Sequence, residues 1–121
     1  MKACLFVGFG GAVGSVFRYL IGLIPVNCGD GFPVKTLVIN ILGSFAIGMI
    51  TAIAGKHTGI SPNLLLLLKT GICGGFTTFS TFALESTSLI QNGKIWLAVL
   101  YVLTSILFSV AAIFFAETVV R

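Results

Sequence analysis

Charged side chains are scarce in this sequence. Three residues of 121 are acidic and seven basic, 8% in all, where a water-soluble domain carries about 25%. Too few charges exist to cover a surface facing water on all sides. There is one histidine, His57, in a polar connecting segment, and the three cysteines, Cys4, Cys28 and Cys73, are an odd number without metal-ligand spacing. Cys4 and Cys73 fall in apolar runs, where a free thiol behaves as a small hydrophobe. No nucleophile–base pair or metal cluster stands out, so nothing points to an enzyme. The basic residues are scattered and form no patch for nucleic acid.

Apolar sequence fills the space that charge leaves. Hydrophobic residues make up 57% of the chain, and neither the 20 residues from Thr36 to Gly55 nor the 22 from Ile95 to Ala116 include a charge. Each run is long enough to cross about 30 Å of hydrocarbon as a helix. Two further runs are interrupted only by Arg18, and by Lys69 and Glu85. The pattern predicts an all-α membrane protein, a single domain of four spans at about 3–25, 36–55, 63–90 and 95–116. The first run reads as a span rather than a cleaved signal peptide, since it lacks a clear small-residue cleavage site. The connections are short and leave no room for an extramembrane catalytic domain.

Orientation is nearly undetermined by charge. With four spans, Lys2, Lys56, Lys69 and Arg121 share one side, against Lys35, Lys94 and a snorkelling Arg18 on the other. Positive charge normally selects the cytoplasmic side, and four against three selects weakly. Such a chain could insert both ways and pair as an inverted dimer, as many transporters do by internal repetition.

The polar residues within the spans form lines. Tyr101, Ser105 and Ser109 recur at four-residue spacing and share one face of the fourth span. In the third, Phe79 and Phe82 share a face beside the hydroxyls of Thr77, Ser80 and Thr81. Asn40 is the amide side chain of the second. Polar side chains in a membrane can simply join helices, but aligned stripes on three helices point to a continuous polar path. Gly10 and Gly14, with Gly8 and Gly11 around them, resemble a dinucleotide-binding turn only superficially. That turn needs a parallel sheet, and a small-xxx-small helix contact suits an apolar span better. Gly43, Ala46 and Gly48 suit the same purpose in the second span. Arg18 requires carbonyls, a carboxylate or water around it and is expected to tie helix ends together.

The densest signal is "GICGGFTTFSTFALE", residues 71–85. Gly71, Gly74 and Gly75 each disfavour helix by about 1 kcal/mol relative to alanine, which predicts a break at mid-membrane. Non-helical backbone there survives only when buried in protein or lining water. Freed carbonyls suit a hard cation. Hydroxyl donors and the electropositive edges of phenylalanine rings suit a small, hard anion.

This run, with "GGAVGSVFRY" in the first span and "TLVINILGSFAIG" in the second, closely resembles the CrcB/Fluc family of fluoride channels. The resemblance extends over all four spans. It implies an antiparallel, dual-topology homodimer, multi-pass in the lipid of the cell inner (plasma) membrane, that lets cytoplasmic fluoride leave passively. It implies a structural sodium ion at the dimer interface on the carbonyls of Gly74 and Thr77. It also implies a fluoride pore lined by Asn40, Phe79, Phe82, Ser80, Thr81, Tyr101, Ser105 and Ser109, with Glu85 at a pore mouth. The alternative is a small proton-coupled multidrug exporter, also a four-span, dual-topology dimer. That carrier needs a carboxylate in its first span, and this first span has none.

Overall fold

A computed structural model describes residues 1–121. The chain is entirely helical, with four helical segments long and apolar enough to cross a membrane. Helix α1 is Lys2–Gly22 and α2 is Val34–Lys56. The third span, Pro62–Gln91, is divided into α3, residues 62–76, and α4, Phe79–Gln91. Helix α5 is Ile95–Val120. The ends follow local chemistry. Helix α1 stops at Gly22, short of the expected 25, because residue 24 precedes Pro25 and is biased away from helix. Ser61 caps α3 by accepting from the Leu64 N–H at 3.1 Å, with Pro62 opening the first turn. Between α4 and α5, Gly93 takes a positive φ of 75°. The Gly93 and Lys94 N–H groups donate back to Ile90 and Leu89 at 3.0 and 2.8 Å, a Schellman closure that α5 follows almost immediately. Helix α5 runs on to Val120, past the expected apolar limit at 116.

Two helix pairs form the bundle: α1 lies along α3, and α2 along α5. The first pair is joined by glycine. A Cβ on Gly10 would stand 2.4 Å from the Leu67 carbonyl oxygen, and one on Gly14 would stand 2.1 Å from that of Ile72. From the other side, a Cβ on Gly71 would meet the Gly10 Cα at 2.8 Å, and one on Gly75 the Gly11 oxygen at 2.4 Å. Both helices therefore give up side chains so that their backbones can touch, the association mode available where lipid is as apolar as leucine. In the second pair, Gly48 sits against Ile113 and Ala116 in the same manner.

Most of α3, Leu66–Cys73, is wound as π-helix. This wider turn is rare and is frequently found at functional sites. The interruption of the third span comes after it. The glycine-based expectation placed the break at Gly71 to Gly75, but Gly74 keeps helical angles (φ −65°, ψ −38°) and α3 continues through Phe76. The chain becomes extended at Thr77 (φ −77°, ψ 156°) and Thr78 (φ −148°, ψ 115°). Gly71 and Gly75 are used to approach α1 rather than to break the helix.

Candidate functional site

The break is stabilised by side chains that stand in for the missing helix. Asn40 on α2 clasps Thr78 from both ends: its Oδ1 accepts from the Thr78 N–H at 2.8 Å, and its Nδ2 donates to the Thr78 carbonyl at 3.1 Å. In an unbroken helix the Thr78 N–H would serve the Gly74 carbonyl. Thr78 then caps α4, its Oγ1 accepting from the Thr81 N–H at 3.2 Å. That N–H would otherwise serve Thr77. The carbonyls of Gly74 and Thr77 therefore both lose the donor four residues ahead. The next released carbonyl, that of Gly75, receives the Arg18 Nε–H at 3.1 Å, with the Ser15 hydroxyl at 3.5 Å. Arg18 thus joins α1 to the break. Thr77 keeps its hydroxyl on its own helix, donating to the Cys73 carbonyl at 2.9 Å, and its methyl occupies the space left by Gly43.

Beside the break a cleft of about 420 Å³ lies between α2, α3, α4 and α5. Asn40, Gly74, Thr77, Phe79, Phe82, Ser105 and Ser109 line it, so seven of the residues singled out in the sequence meet in one place. Lys69 is the one charged side chain on its wall, and no carboxylate lines it. The Ser105 hydroxyl is buried with no hydrogen-bond partner, on a residue only 7% exposed. A buried unsatisfied hydroxyl costs about 1–3 kcal/mol, and this one belongs to a residue on the cleft wall.

The two phenylalanines differ. Phe82 packs on Tyr101, ring centroids 5.2 Å apart, whereas Phe79 touches Phe82 at 5.5 Å and is otherwise 79% exposed on the protomer. Tyr101 is wholly buried, its ring also meeting Phe32 edge-on at 5.6 Å. The stripe on α5 therefore runs from Tyr101, sealed within the protomer, through the buried Ser105 to the half-buried Ser109. At the sealed end the Glu85 carboxylate accepts from Tyr101 at 2.7 Å and from Thr36 at 2.8 Å. Glu85 also faces two smaller cavities. One, about 340 Å³, lies under the α1–α2 connection, and the other, about 280 Å³, reaches Thr81, Thr78 and Arg18. Ser80 faces neither cavity nor cleft. It is exposed, with its hydroxyl 3.4 Å from that of Thr78.

The structure adds residues that sequence reasoning passed over. Thr78 is the centre of the break and Thr36 is the partner of Glu85, yet both read as ordinary span threonines. Lys69 stood out only as a charge bearing on orientation. For a hard cation, the oxygen donors present are the carbonyls released at Gly74 and Thr77, and oxygen is the donor such an ion takes.

The family described as "CrcB-like protein, Camphor Resistance (CrcB)" matches residues 5–116. Among curated relatives, the fluoride-specific ion channel FluC of Chlorobaculum tepidum is 48% identical over 94% of this chain and 90% of its own. That of Agrobacterium fabrum is 45% identical over 89% of this chain and 87% of its own. The FluC of Rhizobium meliloti is 39% identical over the whole of this chain and 98% of its own.

Proposed function

The chain belongs to the CrcB family, and from that premise we propose that it is a fluoride-specific ion channel and not an enzyme. One observation carries the reading: a cleft beside the break of the third span is lined by the hydroxyl residues Ser105 and Ser109 and by Phe79 and Phe82, and by no carboxylate. Hydroxyl hydrogens and phenylalanine ring edges can donate to an anion, and no carboxylate on the wall opposes one. The set is compact and uncharged except at Lys69, which suits a small anion that must leave as readily as it arrives. Fluoride then passes from the donors of Ser105 and Ser109 past the edges of Phe79 and Phe82 to the hydroxyls of Thr78 and Thr81. Glu85, held by two hydroxyls, stands where the path opens under the α1–α2 connection. In the cell this lets fluoride that has entered as hydrogen fluoride, and ionised, leave passively across the plasma membrane.

The working unit we propose is an antiparallel homodimer. Two features support it. The positive charges on the two sides are nearly balanced, and Gly74 and Phe79, which flank the break, are exposed on the protomer, beside carbonyls that have lost their helical donors and to which lipid offers none. A second copy covering that face would place its own Gly74 and Thr77 carbonyls opposite the first pair, and these four oxygens would hold a structural sodium ion. Its positive charge would fix the two breaks together. C-terminal tags should report from both sides of the membrane, and replacing sodium by potassium should weaken the dimer. One-sided tags with working protein, or a dimer indifferent to sodium, would remove these parts.

The deciding experiment is flux from liposomes containing purified protein. Fluoride should escape down its gradient without a pH gradient, chloride should not, and Glu85→Gln should retain substantial flux. Transport that requires a proton gradient and is abolished by Glu85→Gln would favour the exporter; no fluoride flux at all would end the channel reading.

A further inference from the structure

The polar path described above does not use Lys69, whose position is unusual for a lysine. It lies about two helical turns into the third span from Pro62, within the π-helical segment of α3. An ammonium at such depth is costly in lipid, so intramembrane cations face water, a carboxylate or a functional cavity. Lys69 faces the cleft. It shares the wall with Ser105, Ser109 and Phe79, and no carboxylate lines that wall with it. The third span's own acid, Glu85, is committed elsewhere, to Thr36 and Tyr101. The other polar and aromatic side chains along the cleft are uncharged, so Lys69 is the one formal charge on its wall.

We infer that Lys69 is an anion collector: its charge concentrates fluoride in the cleft and excludes cations, without binding the ion at the narrow part of the path. The inference rests on the fluoride-channel reading. A positive charge in a mouth with low-dielectric walls raises the local anion concentration and its rate of arrival. Because it acts through space and through water, ionic strength should tune it. The Debye length shrinks from about 30 Å at 0.01 M to about 3 Å at 1 M, so salt removes the attraction while leaving packing and hydrogen bonds untouched. Collection affects the supply of ions to the path and leaves the choice between fluoride and chloride to the donors further in.

The test compares parent, Lys69→Gln and Lys69→Arg as purified, monodisperse protein in liposomes, with an impermeant salt setting ionic strength. At about 0.01 M, Lys69→Gln should carry fluoride about threefold more slowly than the parent, and at about 1 M the two should converge. Lys69→Arg should follow the parent throughout, and the fluoride-to-chloride ratio should stay the same in all three. Lys69→Met serves if the glutamine variant does not fold. Equal flux at low ionic strength, or a deficit that salt does not reduce, overturns the inference, the latter by making Lys69 a packing residue. Failure of both neutral variants to fold would overturn it too. If the parent conducts no fluoride, the channel reading falls and this inference with it; if only the salt dependence is missing, the channel reading stands alone.

Discussion

Helix α3 has two faces built from similar small residues, and they behave oppositely. Toward α1, Gly71 and Gly75 are closed against backbone, with no room for a single methyl group. Toward the cleft, Gly74 is exposed, and the nearest atom to a Cβ placed there is the Lys69 carbonyl oxygen at 3.8 Å, an ordinary contact. One face seals and the other opens, though Gly74 and Gly75 are neighbours in sequence. A glycine in a membrane span therefore says that something comes close or that something is left open, and only the neighbouring helix decides which.

The largest expected effect comes from filling the sealed face. Gly75→Ala or Gly14→Ala would push a methyl into backbone 2.4 or 2.1 Å away, which cannot rotate aside as a side chain would. Overpacking ordinarily costs about 1–3 kcal/mol, and these two should lie at the top of that range. Gly74→Ala should leave the protomer's packing intact. Thermal unfolding in detergent reads the contrast, and equal midpoints for Gly74→Ala and Gly75→Ala would mean that the two faces do not differ.

Next in size are the phenylalanines on the open side. Phe79→Ile and Phe82→Ile conserve apolar bulk but remove the electropositive ring edge. Fluoride flux should fall at least about tenfold in each, a barrier raised by about 1.4 kcal/mol. Stability should separate them. Phe82→Ile loses the ring contact with Tyr101, worth about 0.5–1.5 kcal/mol, whereas Phe79, mostly exposed on the protomer, should cost its fold almost nothing. Parent-like flux from both variants would make the rings packing residues and remove them from the path.

The smallest expected change is at the hinge between the faces. Thr78→Ala keeps the backbone groups that Asn40 clasps and deletes the hydroxyl that caps α4, a loss of about 1 kcal/mol. Unfolding should shift modestly. A collapse as severe as Gly75→Ala would show that the cap, rather than the Asn40 clasp, holds the break.

The four spans were legible because they depend on composition over about 20 residues. The stripe on α5 was legible because it follows helical spacing within one helix. The location of the break was not. Helix propensity charges each glycine about 1 kcal/mol, which makes Gly71 to Gly75 look weak, but direct backbone contact with α1 offsets it. What breaks the helix is Thr78 held by Asn40, and these residues are 38 apart in sequence. Neither Thr78 nor Asn40 is unusual until they are adjacent in space. For the same reason Lys69 reads as a charge near a span end, since the walls of the cleft it faces come from four helices.

The Asn40 clasp also bears on how the chain is made. A span with an extended stretch at its centre leaves N–H and C=O groups without helical partners, and lipid offers them none. The break is therefore favourable only where Asn40 meets Thr78, and the same residues in an isolated third span do better as continuous helix. Because α2 precedes the third span in the chain, Asn40 is already in the membrane when Thr78 arrives. The bend of the third span is thus a product of helix association rather than a property the span carries in with it.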